Sequence, residues 1–468
     1  MIIQLVLCAL IGVLTLYKLV QWRYQKKGKD IPGPHGLPLI GCAHKIHADN
    51  IHFQFMEYAE AFGEIFQIQM FVDNFVVLNS ERLVRKAFAD RQYNEYFNDS
   101  VDLYYGQHFN CCKKSMGTTI DGAGKVHRTT RKEFTKAMHV YGSGLQDLEN
   151  NVMMEMALLV KRIENMHGKE MQCFDLFRRS LSNIMSLVFS GSVIDDNDPD
   201  LDMFWQHVDA ADFFLNPEVN LIMNTFPFMR FLPGKFKEEY KKCKDSYDKI
   251  VQRYFFDIKE NHVPGEVRGI IEHYLEVQRK QVESGSDIFF TDERIIAQLT
   301  ETVVAGIITT LSVLTSSMLV LLNHPEYQAK IQEELDRVIG RGRLPKYSDR
   351  GKCTFLKAFG MEVHRYINVA PLQIPHYCRK NIEFEGYHIK RNSVVLSNAW
   401  YIHHDEKIWG DPWTFRPERF LDIDGNLLPA NHKLIRSHIP FSCGPRHCPG
   451  AVFSETRYFL YLATLFQR

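Results

Sequence analysis

The chain has 468 residues, of which 45% are hydrophobic and 24% are charged, a globular composition that excludes a disordered or low-complexity protein. Basic and acidic residues both number 56, so the balance of charge argues against a nucleic-acid partner. Its 10 cysteines are too sparse for a disulfide scaffold and favour a reduced, cytosol-facing fold.

The N-terminal segment predicts a membrane anchor. Residues 1–20 are almost entirely apolar, and at about 1.5 Å per residue they cover most of a hydrocarbon core of about 30 Å. Basic residues follow directly, which orients the rest of the chain toward the cytosol. A cleaved signal peptide is the alternative, although the segment lacks a basic leading region and a small-residue cleavage site. Residues 21–41 then form a basic and Pro/Gly-rich hinge, and residues 42–468 form one catalytic domain.

Hydrophobic periodicity predicts a mainly α fold with minor β. Alternating apolar residues over 66–72, a turn at Asp73-Asn74 and a second run over 75–78 predict a β-hairpin. Residues 384–396, with turns at Glu385-Gly386 and Arg391-Asn392, predict a second small β region. Helical periodicity covers residues 126–139, 145–166, 236–259, 291–322, 325–338 and 355–366. Residues 94–119 and 204–229 are predicted loops around a substrate pocket.

Residues 291–322 predict a central helix of about 48 Å, long enough to cross the whole molecule. Thr291 is a suitable N-cap, and His324-Pro325 ends the segment. The small pair Ala305-Gly306, followed by Thr309, leaves room beside a flat cofactor and supplies a hydroxyl there. Close packing of two helices explains the same residues equally well when this segment is taken alone.

Residues 441–450, Phe-Ser-Cys-Gly-Pro-Arg-His-Cys-Pro-Gly, are the most specific feature of the chain. Gly444 permits a turn that points backbone N–H groups at the sulfur of Cys448, and Gly450 permits close approach to a flat cofactor. Pro449 suits the first helical position, so Cys448 lies at a helix N-terminus, where the dipole favours a thiolate.

Two flanking side chains complete this pattern. Arg446 can pair with a haem propionate, and Phe441 can pack near the sulfur and exclude water. A buried structural cysteine, or a metal pair with Cys443, is the alternative. No third or fourth cysteine follows at iron–sulfur or zinc spacing, so Cys448 is the predicted iron ligand.

This stretch resembles the haem-binding signature of the cytochrome P450 family, Phe-x-x-Gly-x-Arg-x-Cys-x-Gly. The resemblance implies the P450 fold, haem b (iron protoporphyrin IX) as the cofactor, and Thr309 as a catalytic residue that passes protons. The implied reaction is monooxygenation: one oxygen atom of O₂ enters an apolar substrate such as a steroid, fatty acid or xenobiotic. The electrons come from NADPH through NADPH–cytochrome P450 reductase, with cytochrome b5 as a further candidate donor.

The stretch from residue 323 to residue 450 looks most like the microsomal branch, which includes drug- and steroid-oxidising members. That likeness implies an endoplasmic reticulum membrane location with the catalytic domain in the cytosol.

The resemblance also assigns structural and cofactor-binding roles elsewhere. Glu362, Arg365 and Arg419 occupy the positions of a buried charged triad that locks the segment behind the haem loop. A second group is expected to contact the haem, mainly at its propionates, and consists of His127, Arg131, His376, Ala305 and Gly306.

His127 stands where the family usually has tryptophan, and it is expected to bring a pH-sensitive charge. On the same predicted helix, Arg128, Lys132 and Lys136 form a stripe that we expect to dock an acidic electron-transfer partner.

Two departures from the family pattern leave alternatives open. Ile308 stands where the family has Asp or Glu, so Thr309 with ordered water, or a substrate hydroxyl, must deliver protons, and we expect peroxide to leak. The chain also stops at Arg468, before the terminal hairpin usual in the family. The alternatives are a haem-thiolate isomerase or dehydratase, which Ile308 favours and Thr309 opposes, and a truncated non-catalytic haem-binding product.

Overall fold

The computed structural model describes residues 29–71, 73–101, 103–111, 114–117, 124–139, 145–195 and 197–467, together with Gly12. The predicted anchor lies outside the described residues apart from Gly12 and stays a prediction. The later part of the predicted hinge lies within the described residues, and its backbone forms hydrogen bonds with the domain. The amide of Lys29 donates to Gly386 O at 3.1 Å, and the amide of Gln67 donates to Pro32 O at 2.8 Å. The packing of the domain therefore already begins within the predicted hinge.

Helices form most of the described chain, as the sequence predicts. In chain order they are α1 (Ile51–Phe62), α2 (Glu81–Phe88), α3 (Tyr104–Phe109), α4 (Lys125–His139), α5 (Leu145–Glu164), α6 (Cys173–Ser190), α7 (Met203–Leu215), α8 (Pro217–Thr225), α9 (Lys235–Val251), α10 (Asp257–Glu260), α11 (Ile270–Glu283), α12 (Asp292–Asn323), α13 (Pro325–Val338), α14 (Thr354–Ile367), α15 (Ala399–His404), α16 (Glu406–Trp409), α17 (Lys433–Ser437) and α18 (Ala451–Gln467). Every helix predicted from periodicity is present, although one turn of π-helix (Gln252–Phe256) separates α9 from α10.

The predicted loops are partly wrong. Residues 204–229 contain α7 and α8, and residues 94–119 contain α3. The chain between α7 and α8 turns at Asn216, whose side-chain oxygen accepts the amide of Glu218 at 3.0 Å, and Pro217 then takes the first helical position. In α7, Phe204, Val208 and Ala211 lie on one buried face at helical spacing, so the apolar period was present in the sequence.

The described part of the chain contains seven short strands, which form two sheets. The larger has the order β1-β2-β7-β4-β3, from strands Ile65–Met70 (β1), Asp73–Leu78 (β2), Val394–Ser397 (β7), His376–Tyr377 (β4) and Asp99–Ser100 (β3). The hairpin β1–β2 confirms the prediction, but Asp73 and Asn74 belong to β2 and pair with Met70 and Gln69. Strands β5 (Ile382–Phe384) and β6 (Tyr387–Ile389) form the smaller sheet around the predicted turn. Among the described strands, β2 and β7 form the one parallel pair, and Lys29 and Tyr387 form an isolated parallel bridge.

Helix α12 runs through the largest hydrophobic cluster of the described chain. Thr291 caps it by accepting the amide of Arg294 at 3.4 Å, and the helix ends at Asn323, before Pro325. Its length and composition would allow it to cross a membrane, with a mean hydropathy of 2.0 over 18 residues. Half of that window is buried against other helices, which is typical of a core helix.

Candidate active site

The loop between α17 and α18 holds Cys448 by backbone bonds. The amide of Cys448 donates to Phe441 O at 2.9 Å, which closes the loop at the two ends of the motif. Gly444 has φ 77°, and a Cβ there would lie 2.1 Å from Phe88 O, so only glycine fits. Pro449 lies in a turn, and α18 starts at Ala451, later than the sequence predicts.

The two cysteines of the motif differ in surroundings. Cys443 is buried, with Sγ 3.9 Å from Val84 O, and burial raises the pKa of its thiol to about 11. Cys448 is partly exposed. Burial also raises the pKa of the Cys448 thiol, but the Gly450 amide and nearby guanidinium groups act in the opposite direction. Cys448 is therefore the better metal ligand of the two.

Two arginines flank this loop from different elements. Arg131, on α4, donates from Nη1 to His447 O at 2.6 Å and to Pro445 O at 3.2 Å. Arg446 bonds to other segments of the chain. Its Nη1 donates to Met116 O at 2.8 Å, and its Nε donates to Asn98 O at 3.1 Å. The structure thus brings both cations to the motif, where they can bind carboxylates.

Two buried histidines lie within the field of Arg446. Burial, and then the charge of Arg446, lowers the pKa of His127 to about 3. The expectation of a pH-sensitive charge at His127 is therefore wrong: the ring stays neutral near neutral pH. Burial lowers the pKa of His376 to about 4, and its Nδ1 is 2.8 Å from Phe97 O. The Nδ1 of His127 is buried and has no hydrogen-bond partner among the described residues.

On α12, Ala305 and Thr309 are exposed although Val304, Ile307 and Thr310 are buried, so this face of the core helix borders a gap. Thr309 Oγ1 donates to Ala305 O at 2.8 Å.

Gly306 faces helix α6, because a Cβ built on it would lie 3.1 Å from Met185 Sδ of that helix. Close helix packing explains Gly306, whereas Ala305 and Thr309 border the gap.

These residues fit a haem. Among the described residues, and apart from its two chain neighbours, a Cβ on Gly450 would have the Cys448 sulfur, at 3.9 Å, as its only neighbour within 4 Å, so it would meet no close contact beside the thiol. The guanidinium groups of Arg131 and Arg446 can bind the two propionates. His127 Nδ1, which has no partner among the described residues, can bond to the same groups. Among the described residues, no group of three or more His, Cys, Asp or Glu side chains could hold a bare metal ion.

Glu362, Arg365 and Arg419 form one buried ion cluster behind the loop. Arg365 Nε donates to Glu362 Oε2 at 2.8 Å, and Arg419 Nε donates to Glu362 Oε1 at 3.0 Å. Arg365 also holds His403 O at 2.8 Å, and Arg419 holds Trp409 O at 3.0 Å. The cluster therefore joins α14 to the segment that leads toward residue 441.

Sequence reasoning missed two charged side chains near the site. Glu301 on α12 accepts the amide of Gly117 at 3.0 Å and so ties residues 114–117, which also hold Arg446, to the central helix. Arg457 on α18 is only 2% exposed. The signal was available for Glu301, which is the only charged residue of α12 after Arg294.

Comparison with known proteins agrees with this geometry. The family profile described as Cytochrome P450 matches residues 31–468. The chain belongs to the cytochrome P450 family.

Among its relatives, cytochrome P450 1A1 of Canis lupus familiaris is 29% identical, covering 99% of this chain and 89% of that protein. Cytochrome P450 1A1 of Cavia porcellus is 30% identical, with 99% and 90% covered. Cytochrome P450 2A9 of Mesocricetus auratus is 28% identical, with 99% and 92% covered. Membership confirms the predicted fold, haem b as cofactor and monooxygenase chemistry.

Proposed function

We propose that this P450 inserts one oxygen atom of O₂ into an apolar organic substrate at the endoplasmic reticulum membrane, with its catalytic domain in the cytosol. The electrons come from NADPH through a membrane flavoprotein reductase, with cytochrome b5 as a further candidate donor. The observation that carries the proposal is the partly exposed Cys448 thiol in a loop flanked by Arg131 and Arg446. When bound, the haem supplies the redox chemistry that activates O₂, and the Cys448 thiolate increases its electron density.

The protein's own residues bind and orient the haem. Cys448 would ligate the iron from a loop that Gly444 and the Phe441–Cys448 backbone bond keep in shape. Arg131, Arg446 and the neutral rings of His127 and His376 would hold the propionates of the haem. The cluster of Glu362, Arg365 and Arg419 stabilises the segment behind the loop and takes no part in the chemistry. Ala305, which is exposed on α12, would leave room for the haem, whereas Gly306 packs against Met185 of α6.

Thr309 is the proposed proton carrier. Its hydroxyl donates to Ala305 O at 2.8 Å and borders the gap, so it can turn to donate to a molecule bound there. Ile308 has no titratable group and packs against the main core. Protons must therefore reach the gap through the Thr309 hydroxyl and water, or through a hydroxyl of the substrate.

An apolar substrate suits the side chains next to the gap. Val304, which precedes Ala305, packs in a buried cluster with Phe109 of α3 and Phe214 of α7. The helices that replace the predicted pocket loops therefore present aromatic surface toward α12.

The reductase is proposed to dock on α4. Arg128, Lys132 and Lys136 are exposed on the helix that also carries Arg131, so a partner bound there would approach the loop of Cys448. Reversing all three charges should slow reductase-driven turnover and weaken its dependence on salt. Unchanged turnover and salt dependence would contradict this part of the proposal.

Besides the predicted anchor, one group of exposed phenylalanines among the described residues supports the membrane location. Phe226, Phe228 and Phe231 follow α8 and are 51%, 54% and 65% exposed, which is unusual for phenylalanine on a water-facing surface. Replacing all three with serine in the full chain should reduce its retention on vesicles of neutral phospholipid. Equal retention would contradict a membrane role for this patch.

The reduced, carbon-monoxide-bound spectrum tests the central claim. The parent protein should give the band of thiolate-ligated haem, Cys448→Ser should lose it, and Cys443→Ser should keep it. Cys443→Ser is the matched control because it removes a thiol from the same loop, but a buried one. A retained thiolate band and full turnover in Cys448→Ser would overturn the proposal.

Ile308 also favours a second function, the rearrangement of peroxides without O₂ or a reductase. Turnover of a lipid hydroperoxide in the absence of NADPH would identify that activity. Oxygenated product that forms only with NADPH and reductase would identify the monooxygenase.

A further inference from the structure

A polar cavity of about 290 Å³ lies where the larger sheet meets α3 and α8. Strand β2 contributes Asp73 to its lining, β4 contributes Tyr377, and α3 contributes Tyr104, Gln107 and His108. None of its described lining residues belongs to α12 or to the loop between α17 and α18. The proposed haem site therefore does not account for this cavity.

The sheet brings Asp73 and Tyr377 to the same end of β7. Phe75 of β2 and Tyr377 of β4 both pair with Val394, the first residue of β7. Asp73 lies two residues before Phe75, at the start of β2. Because β2 and β7 are parallel, Asp73 lies just beyond the first residue of β7. A carboxylate and a phenol ring from distant parts of the chain thus border one cavity.

The Asp73 carboxylate has no partner within the described part of the chain. Among the described lining residues it is the one carboxylate, and none is lysine or arginine. The backbone of Asp73 pairs with Met70, and its side chain is half-buried. Burial raises the pKa of this carboxyl, and no neighbouring charge or hydrogen bond among the described residues lowers it. A bound cation would therefore stabilise the carboxylate.

Arg230 supports the wall of the cavity but is not among its lining residues. Its Nη1 donates to the phenol oxygen of Tyr104 at 3.3 Å and to His108 Nε2 at 3.1 Å. Burial, and then the charge of Arg230, lowers the pKa of His108, so this ring is neutral near neutral pH. Asp73 therefore provides the charge of the cavity, and that charge is negative.

The side chains around Asp73 favour an organic ammonium ion over a metal ion. Tyr104, His108 and Tyr377 supply aromatic rings, and the ring centres of Tyr104 and His108 are 4.2 Å apart. Aromatic rings attract alkylated ammonium groups. A metal ion needs several ligands, and the described residues contain no group of three His, Cys, Asp or Glu that could supply them.

The rim of the cavity adds apolar surface. Pro227 lines the cavity, and its two chain neighbours, Phe226 and Phe228, are exposed. A ligand whose ammonium head enters the cavity can place an alkyl tail on these rings and remove apolar surface from water. The chemistry of the cavity and its rim therefore fits a cationic amphiphile.

We propose that this cavity binds the ammonium head of a cationic amphiphile, with the Asp73 carboxylate as its counter-ion. The inference goes beyond the proposed function, because the site uses neither the haem nor Cys448. A soluble alkylammonium compound and a choline phospholipid both carry such a head. Asp73 is expected to select the cation over neutral and anionic compounds of the same length.

Equilibrium dialysis of the full-chain holoprotein measures this binding without relying on turnover. The probes are octyltrimethylammonium, 1-octanol and octanoate, which share one alkyl chain and differ in charge. Asp73→Asn removes the charge at nearly constant shape, and Asp73→Glu keeps it. The Kd of octyltrimethylammonium should rise about tenfold in the asparagine variant and less than about threefold in the glutamate variant. Asp424→Asn, which removes an exposed carboxylate from another loop, is the control and should change no Kd.

The pattern across probes and variants decides the outcome. A rise beyond about threefold that is confined to the cationic probe and to Asp73→Asn supports the inference. A smaller rise, an equal rise for 1-octanol, or no saturable binding of octyltrimethylammonium to the parent overturns it.

Gln107 provides a second test if Asp73→Asn does not fold. Gln107 lines the same cavity and is half-buried, so Gln107→Lys would place a cation there to pair with Asp73. The Kd of octyltrimethylammonium should be at least about threefold higher in Gln107→Lys than in its matched control, Gln107→Met. Equal constants in the two variants would overturn the inference.

Competition distinguishes the two sources of the head group. Soluble dihexanoylphosphatidylcholine is added to the parent protein with bound octyltrimethylammonium. Displacement of the probe supports the inference and assigns the site to a choline phospholipid. Retention of the probe, with its dependence on Asp73, supports the inference and assigns the site to a soluble alkylammonium compound.

Discussion

Replacing Glu362 with glutamine should destabilise the protein far more than its small change in shape suggests. Glu362 is fully buried and accepts four hydrogen bonds, from the side chains of Arg365 (two) and Arg419 and from the amide of Arg416. In Glu362→Gln, the amide oxygen can keep the position of Oε1, which accepts three of these bonds. The amide NH₂ then faces Arg365 Nε, so two donors oppose each other.

The expected cost follows from the charges that remain. Without the carboxylate, the guanidinium groups of Arg365 and Arg419 are both buried, and backbone carbonyls such as His403 O and Trp409 O are their remaining acceptors. Breaking a buried ion pair by removing one partner costs about 3–5 kcal/mol, and here one anion serves two cations. We therefore expect a loss of at least about 4 kcal/mol from a total stability of roughly 5–15 kcal/mol.

Glu418→Gln is the matched control, because Glu418 lies next to Arg419 but forms an exposed pair with Lys330 at 2.5 Å. Such pairs contribute about 0–1 kcal/mol. Urea unfolding followed by tryptophan fluorescence gives both free energies, and haem content gives an independent measure. Equal losses in the two variants would refute the idea that the cluster stabilises the segment behind Cys448.

Three further substitutions test the site and the core. Ile308→Glu should lower the share of NADPH electrons released as peroxide by at least about tenfold, a conservative part of the roughly 10²-fold that a positioned acid contributes. Ile308→Val is its control, and an unchanged leak in the glutamate variant would count against the proton route. Gly444→Ala should cost about 2–5 kcal/mol and reduce haem content, because the Cβ meets Phe88 O. Gly425→Ala, at the same φ of 77° but with nothing within 4 Å, should cost only about 1 kcal/mol, and equal costs would contradict the contact argument. Burial lowers the pKa of His207 from 6.5 to about 4, so protonation of this histidine favours the unfolded chain. The protein therefore loses stability as the pH falls from about 6.5 to about 4. Between about pH 7 and about pH 5 the loss in unfolding free energy should be about 2 kcal/mol smaller in His207→Gln, and an equal loss would exclude this histidine as a cause.

The sequence by itself determined the family signature around Cys448 and several of the long helices, among them α5, α9 and α12. The fixed residues around Cys448 lie within ten positions of each other, so their spacing predicts a thiolate loop before any fold is known. Helical periods are likewise properties of short segments, which is why α12 was predicted to within a residue at each end.

Only the tertiary structure decided which of these residues face the site. Gly306 packs on Met185 of another helix, and β2 pairs with β7 more than 300 residues later, relations that no local pattern contains. The neutral state of His127 depends on burial among distant segments, because desolvation is set by neighbours in space and not in sequence. Local spacing therefore predicts the ligand, and long-range packing specifies the electrostatic environment around it.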